Sequence, residues 1–236
     1  MNLKAVRGGL LIDGTGGPPL EDSTILIEGP NIIAVGPKNK ISVPSDAVII
    51  DASDKTVMPG LMDMHVHLCS TVDLGTAGVP RGILMYNMLK TPPSLVVLYA
   101  ARNARVSLEA GFTTLRDLGG YTVTTEIINL RKAIDLGLVS GPRIMTAGPW
   151  ITPPAGHLDL AMTVKTYPPR TASGVDEVRR AVREAVQMGA DLIKTSATGG
   201  VMGEGESIQW TNYTIEELKV IVEEAHAFGK KVAAHA

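Results

Sequence analysis

The sequence contains a single cysteine, Cys69, and aromatic residues make up only 4% of its 236 residues. One cysteine excludes a framework of intrachain disulfide bonds. The formal net charge is −2, from 22 basic and 24 acidic residues, and no basic stripe of the kind that binds nucleic acid is present. No apolar run approaches the roughly 20 residues that a membrane-spanning helix needs. We therefore expect neither a nucleic-acid partner nor a membrane segment.

The start of the chain and Cys69 bear on the location of the protein and on its chemistry. Residues 1–7 lack the apolar core of a secretory signal peptide, so we expect a soluble, cytoplasmic protein. Cys69 lies two residues after His67 and could serve as a metal ligand or a nucleophile. A thiol packed in the core is the simpler interpretation.

The pattern of apolar residues divides the chain near residue 58. Residues 1–58 have short apolar runs separated by turn residues, which predicts a small β domain with strands at 4–12, 23–28, 31–36 and 47–51. From residue 61 onward, strands alternate with helices. The helices are predicted at 94–111, 123–136, 173–188 and 214–228, and the later strands at 112–116, 143–147, 191–196 and 231–236. This alternation predicts an α/β domain with a parallel sheet over residues 59–236.

His65 and His67 lie in the first strand of the second domain. Alternate residues of a strand share a face, so both imidazoles emerge on the same side and could bind one metal ion. Two buried histidines bonded to backbone carbonyls would give the same pattern. The metal-binding interpretation of these two histidines therefore depends on polar residues near the ends of later strands.

Lys194 and His235 are two such residues. A lysine near the end of a central strand is costly unless it is neutralised or paired, either by a salt bridge to Asp63 or Asp117 or by conversion to a carbamate that bridges metal ions. His235 ends a strand of small apolar residues and could be a core histidine or a ligand. Arg116 and Asp117 could also order this edge by pairing with each other.

Five segments appear in a fixed order along the chain. They are Pro59-Gly60-Leu61-x-Asp63-x-His65-x-His67, Thr113-Thr114-Leu115-Arg116-Asp117-Leu118-Gly119-Gly120, Gly141-Pro142-Arg143-Ile144, Ala190-Asp191-x-Ile193-Lys194 with Ala197-Thr198-Gly199-Gly200-Val201, and Val232-Ala233-Ala234-His235. Together they resemble the amidohydrolase superfamily, in particular its imidazolonepropionase-like and Xaa-Pro dipeptidase-like members. The resemblance extends over essentially the whole chain.

The resemblance implies a TIM-type (β/α)8 barrel flanked by a small β-sandwich, with residues 1–58 forming part of the sandwich and residues 59–236 the N-terminal portion of the barrel. It also implies two divalent metal ions, commonly zinc. His65 and His67 would bind the more buried ion, carboxylated Lys194 would bridge both, and His235 would bind the more exposed one. A hydroxide shared by the ions would then attack an amide carbonyl.

The resemblance therefore implies a hydrolase of carbon–nitrogen bonds that acts on a small-molecule amide, such as a dipeptide or an N-acyl amino acid. Hydrolysis of a cyclic amide such as an imidazolone is an alternative, and a non-catalytic barrel remnant in a structural or interaction role is another. His157, in the loop after the third strand, is expected either to contact the substrate or to be a solvated loop histidine.

Two parts of the family pattern have no counterpart in this sequence. They are a metal-binding histidine on strand six and an aspartate after strand eight. About five strand–helix units cannot close an eight-stranded barrel, and an open edge would expose unpaired backbone groups. We therefore expect the N-terminal part of a longer enzyme, inactive by itself, whose edge is covered by a complementing C-terminal chain or by a homo-oligomer.

Overall fold

The computed structural model describes residues 3–70, 90–119, 125–157, 159, 171–201 and 206–236. The chain forms two compact units, Met1–Gly60 and Leu61–Ala236. The fold is mixed α/β, with several separate sheets. Within the described ranges, no helix combines the length and the hydropathy that crossing a bilayer requires.

The first unit consists of two sheets of short strands. The strands are β1 (Leu3–Arg7), β2 (Leu10–Leu11), β3 (Leu20–Glu21), β4 (Ser23–Glu28), β5 (Asn31–Pro37), β6 (Val48–Asp51) and β7 (Thr56–Val57). One sheet has the order β5-β4-β1-β6 and the other the order β3-β2-β7. β1 runs antiparallel to β4 and parallel to β6. The predicted small β domain therefore contains two separate hydrogen-bonded sheets.

The strand predicted over residues 4–12 is divided in two by a pair of glycines. Gly8 and Gly9 have φ angles of +87° and +70°, which favour glycine. A Cβ atom at Gly9 would also lie 2.2 Å from the carbonyl oxygens of Ala52 and Lys55. The chain therefore leaves one sheet and enters the other at this point, and the single-strand prediction was wrong.

The second unit contains two parallel sheets and four described helices. Its elements are β8 (Leu61–Val66), α1 (Pro93–Glu109), β9 (Phe112–Asp117), α2 (Glu126–Asp135), β10 (Arg143–Thr146), β11 (Trp150–Ile151), α3 (Val175–Met188), β12 (Leu192–Ser196), α4 (Ile215–Ala227) and β13 (Lys231–His235). The sheet orders are β10-β9-β8 and β11-β12-β13, and every pairing is parallel. The predicted parallel pairing is thus confirmed, and within each sheet the carboxyl ends of the strands share an edge.

Local sequence signals explain two of the helices. The apolar spacing predicted for α3 buries Val178, Val182 and Ala185 completely, and Gly189 ends the helix in the left-handed conformation. The Thr-x-x-Glu spacing of Thr214 and Glu217 predicts a capping box at the start of α4, and the structure confirms it: each side chain bonds to the backbone of the other residue. Both helices therefore begin or end where the sequence indicates.

Two predicted helix starts were wrong, and one short strand was missed. α1 begins at Pro93, so Ser94 lies inside the helix; proline suits the first helical position because its missing N–H needs no partner there. Gly174, with a φ angle of +81°, directly precedes α3, so the helix does not begin at Ser173 as the predicted range 173–188 has it. The two-residue strand β11 was not predicted, because it lies in an irregular, proline-rich stretch.

Two apolar clusters hold the strands against the helices. One joins Val96 and Ala100 of α1 to Leu115 of β9 and Ile144 of β10. The other packs α3 and α4 against Ile193 of β12. Burying each large aliphatic side chain is worth roughly 1.5–3 kcal/mol, so the strands form a rigid base for side chains at their carboxyl ends.

Candidate active site

His65 and His67 lie at the carboxyl end of β8. Their rings meet edge to face, with centroids 5.3 Å apart and planes at 74°. The main cause that lowers the pKa of each ring is burial, and the charge of Lys194 lowers both further. Both imidazoles are therefore neutral at pH 7, which is the form that binds metal ions.

A backbone carbonyl fixes the orientation of His67. Nδ1 of His67 lies 2.8 Å from the carbonyl oxygen of Gly119. A carbonyl oxygen only accepts hydrogen bonds, so the hydrogen lies on Nδ1 and Nε2 keeps its lone pair. This arrangement of one anchored and one basic nitrogen is typical of a histidine that binds a metal.

Asp117 and Trp150 hold the Leu118–Gly119 peptide, which directly precedes this carbonyl. Asp117 is completely buried and accepts hydrogen bonds from the backbone N–H groups of Leu68 (2.7 Å) and Gly119 (2.9 Å). Burial raises the pKa of Asp117 to about 7 although these bonds oppose the shift. Nε1 of Trp150 donates to the carbonyl oxygen of Leu118, and the indole packs edge to face on the His67 ring at 5.7 Å.

Arg116 does not pair with Asp117. Its Nε donates to the carbonyl oxygen of Met64 at 2.6 Å, whereas Asp117 binds backbone N–H groups. Neighbouring strand residues point to opposite faces, so the two side chains diverge. The pairing suggested by the sequence was therefore wrong.

Lys194 is 3% exposed and lies in the middle of β12. Among the residues that the structure describes, its ammonium group makes no ion pair and donates no hydrogen bond. Neither Asp63, whose carboxylate binds the His65 backbone N–H, nor Asp117 pairs with it. Burial, and secondarily the charge of Arg116, lowers the pKa of Lys194. A buried lysine without a counter-charge is costly, so the salt-bridge alternative is excluded within the described part of the chain.

His235 lies at the end of β13, beside β12. The strand register pairs Ser196 with His235 and Lys194 with Ala233, so the lysine and the histidine share a face of the sheet. Burial lowers the pKa of His235 first, followed by the charges of His157 and Lys194. Lys194 therefore lies within electrostatic reach of His65, His67 and His235.

His157 is buried, with a side chain only 7% exposed, so the prediction of a solvated loop histidine was wrong. Its ring stacks on that of His235 with centroids 4.0 Å apart, and its Nδ1 lies 2.6 Å from Oε1 of Glu206. Its backbone carbonyl accepts hydrogen bonds from the hydroxyls of Thr152 and Ser196. The backbone and the ring of His157 are therefore both fixed.

The histidines form two pairs, His65 with His67 and His157 with His235, and Lys194 lies near both. Over the described ranges, no three His, Cys, Asp or Glu side chains lie close enough together to hold a metal ion by themselves. Cys69 is 7% exposed and packs in the apolar cluster of β9, and burial raises the pKa of its thiol. Its environment is that of a packed thiol.

Sequence reasoning missed Trp150, Glu206 and the role of the Gly119 carbonyl. Trp150 contacts Leu118, 32 residues earlier, and Glu206 contacts His157, 49 residues earlier, so no local pattern reports either contact. The Gly199-Gly200 pair offered a signal, because a Cβ atom at Gly200 would lie 2.3 Å from Nδ1 of His157. The glycine-rich sequence of residues 199–205 predicts a flexible lid, but residues 202–205 lie outside the described residues.

Known proteins resemble this chain in sequence and in fold. Ochratoxinase from Aspergillus niger is 33% identical over 254 residues, an alignment that covers 98% of this chain and 49% of ochratoxinase. The crystal structure of a Xaa-Pro dipeptidase with bound methionine in its active site matches with a TM-score of 0.87 and 34% identity, covering 100% of this chain and 57% of the dipeptidase. A prolidase complexed with N-methylphosphonate-L-proline matches with a TM-score of 0.84 and 32% identity, over 100% and 56% of the two chains.

The chain thus spans about half the length of the curated relatives it matches. The profile of the amidohydrolase family matches residues 56–236, which include all the strands and helices of the second unit. The five ordered motifs and the parallel strands that carry His65, Lys194 and His235 agree with this match. The chain belongs to the amidohydrolase family.

Proposed function

We propose that the protein containing this chain hydrolyses the carbon–nitrogen amide bond of a dipeptide or an N-acyl amino acid. The observation that carries the proposal is Lys194. This buried lysine has no counter-charge among the described residues and lies within electrostatic reach of three histidines at the carboxyl ends of parallel strands. The similarity to a Xaa-Pro dipeptidase, a prolidase and ochratoxinase supports amide hydrolysis.

The side chains fit a pair of divalent metal ions, with zinc as the expected metal. His65 and His67 would bind one ion and His235 the other, and a carboxylated Lys194 would bridge them. The orientation of His67, with its Nδ1–H bonded to the Gly119 carbonyl and its lone pair on Nε2, supports this assignment. When bound, the two ions would supply an acidified water and a Lewis acid for the carbonyl.

Lys194 can form the bridge because its burial favours the neutral amine. The lone pair of Nζ attacks the carbon of CO2, an N–C bond forms, and one proton leaves the nitrogen, which gives a carbamate with one negative charge. The carbamate would provide the oxygen ligands that the described His, Cys, Asp and Glu residues do not supply as a cluster. The side chain would change from an uncharged amine to a carbamate with a charge of −1, beside three imidazoles.

His157 is assigned a contact with the substrate. Its ring is stacked on His235 and is held by Glu206, so it is ordered before a substrate binds. A group that is already in position contributes more to catalysis than one that must be ordered during the reaction. The His157 side chain would help to orient the substrate amide beside the second metal ion.

The proposed architecture is a TIM-type (β/α)8 barrel to which this chain contributes about five strand–helix units, with residues 1–58 as part of a β-sandwich. In the described residues, β8 and β13 stand at the ends of their sheets and each pairs with one strand. We infer that a complementing C-terminal chain, or a second copy of this one, covers these edges. We also propose a cytoplasmic location, because residues 1–7 lack the apolar core of a secretory signal peptide.

Metal content and hydrolysis test the proposal together. The protein would be produced in bicarbonate-containing medium, and bound metals would be measured by mass spectrometry beside release of proline or amino acid from dipeptides and N-acyl amino acids. We expect about two metal ions per protein and a carbamate signal after labelling with 13C-bicarbonate. The Lys194→Met variant should lose the bound metal and the carbamate signal. Absence of bound metal from the wild-type protein would contradict the proposal and favour a non-catalytic role.

A further inference from the structure

Glu206 lies outside the set of proposed metal ligands and yet is among the most enclosed polar side chains near them. Its side chain is 4% exposed. One of its oxygen atoms, Oε1, lies 2.6 Å from Nδ1 of His157 and 2.7 Å from the backbone nitrogen of Gly200. A single oxygen atom therefore joins the loop after β11 to the loop after β12.

The position of the hydrogen in the contact between His157 and Glu206 follows from the second contact. The Gly200 N–H can only donate, so Oε1 accepts from it, and an ionised carboxylate has no hydrogen to donate in return. The hydrogen in the 2.6 Å contact must then lie on Nδ1 of His157. The neutral ring consequently has its lone pair on Nε2, and no described group forms a hydrogen bond to that atom.

Three further contacts make the ring orientation specific. The ring stacks on His235 at 4.0 Å, with an angle of 27° between the planes. On another side it approaches Gly200 so closely that a Cβ atom there would lie 2.3 Å from both Cε1 and Nδ1. The backbone carbonyl of His157 is held by the hydroxyl of Ser196. The ring is confined by these contacts, and the bond to Glu206 selects one of its two tautomers.

We propose that Glu206 is a positioning residue that holds His157 in the tautomer with hydrogen on Nδ1 and keeps its ring stacked on His235, so that Nε2 faces a bound molecule as the acceptor nitrogen. In the proposed amidohydrolase, on which this functional consequence rests, Nε2 would receive a hydrogen bond or a proton from the substrate. Glu206 itself would not touch the substrate. It acts through His157, as outer carboxylates do for other functional histidines.

Nuclear magnetic resonance on the metal-free protein tests the tautomer directly. With 15N-labelled histidine, long-range proton–nitrogen correlations at pH 8 distinguish hydrogen on Nδ1 from hydrogen on Nε2 in each of the five histidines. A His157→Gln variant identifies the signals of His157. In the wild-type protein we expect hydrogen on Nδ1 of His157.

Two substitutions at Glu206 separate its geometry from its charge. Glu206→Gln keeps an oxygen that can accept from both N–H groups, so the tautomer of His157 should be retained. Glu206→Ala removes the acceptor, so the population should shift to hydrogen on Nε2 and the ring signals of His235 should move. Glu223→Ala, at an exposed glutamate of α4, is the matched control and should change neither.

Hydrogen on Nε2 of His157 in the wild-type protein would overturn the proposal. So would a Glu206→Ala variant whose histidine spectrum matches that of Glu223→Ala. Should Glu206→Ala fail to fold, Glu206→Gln and the wild-type tautomer still decide the question. None of these measurements requires metal or substrate. The proposed role of Glu206 can therefore fail while amide hydrolysis is confirmed, and it can be confirmed while amide hydrolysis fails.

Discussion

The imidazole rings of His157 and His235 stack with their centroids 4.0 Å apart and their planes at 27°. One ring belongs to the loop after β11 and the other to the end of β13, so two distant parts of the chain meet at this contact. Burial, and then the charge of His157, lowers the pKa of His235, which favours the neutral ring that a metal ion requires. His157, which is not a proposed metal ligand, thus helps to keep the proposed ligand His235 neutral.

His67→Ala should weaken metal binding selectively. The substitution removes the nitrogen whose orientation is set by the Gly119 carbonyl. The loss of zinc affinity, measured by competition with a chelating dye, should exceed the roughly 10–100-fold that removal of an outer partner causes. His226→Ala is the matched control, because His226 is an exposed histidine near the end of α4. Equal affinities of the two variants would argue against His67 as a ligand.

Lys194→Met should stabilise the protein when metal and CO2 are absent. Burial lowers the folded-state pKa of Lys194, so the unfolded chain binds the proton more tightly and protonation favours unfolding. The cost is complete below the folded-state pKa, shrinks as the pH rises, and vanishes above the ordinary lysine value of 10.5.

The melting temperature should therefore be higher in Lys194→Met than in wild type at pH 7, and the difference should narrow towards pH 10.5. Thermal unfolding in degassed buffer with a chelator would measure it. Lys219→Met, at an exposed lysine of α4, should show no such pH-dependent gain. A wild-type protein as stable as Lys194→Met at every pH would contradict the uncompensated burial.

Trp150→Phe should destabilise the fold and weaken metal binding together. The substitution keeps a ring beside His67 but removes the N–H that donates to the Leu118 carbonyl. An unsatisfied buried carbonyl costs roughly 1–3 kcal/mol, which urea unfolding would detect. Trp210→Phe provides the control, since Trp210 is 41% exposed and should change stability by less than about 0.5 kcal/mol. Indistinguishable unfolding curves for the two variants would refute the assigned role.

Glu217→Gln should reduce the acid sensitivity of the fold. Burial raises the pKa of Glu217, but hydrogen bonds from the backbone of Gly174 and from the backbone and hydroxyl of Thr214 outweigh it, so the pKa is lowered overall. The carboxylate then stabilises the folded state above its ordinary value of 4.5, and this contribution is lost as the pH falls through the folded-state pKa.

The free energy of unfolding, measured from pH 7 to pH 3, should therefore decline less steeply in Glu217→Gln than in wild type. At pH 7 the variant should be less stable by roughly 1 kcal/mol, the usual contribution of a helix cap. Glu216→Gln changes an exposed neighbour in the same helical turn and should retain the wild-type slope. Parallel slopes in all three proteins would contradict the assignment.

Local patterns predicted the parallel strands, the capping box of Thr214 and Glu217, and the shared face of His65 and His67. Each depends on a spacing of a few residues, which the sequence displays directly. The pairing of Lys194 could not be predicted from local patterns. The sequence offered Asp63 and Asp117, but both carboxylates are occupied by backbone N–H groups, and their competition for hydrogen bonds is visible only in three dimensions.

The environment of His157 was unpredictable for a related reason. Its loop is rich in proline and polar residues, which usually indicates exposure, and yet Glu206 and Gly200 enclose the ring from a segment more than 40 residues later. Long-range enclosure of this kind overrides loop composition. Trp150 was missed for the same reason, since its indole N–H donates to the carbonyl of Leu118, in the loop after β9 and 32 residues earlier.

Gly200 has a consequence for exchanging loops between members of this family. Its missing side chain lets the loop after β12 occupy space directly beside the imidazole of the loop after β11. A transplanted β12 loop with any larger residue at this position would force the imidazole out of its place. Engineers who alter substrate preference should therefore transfer both loops as one unit, because a chimera that mixes them would begin with a steric clash.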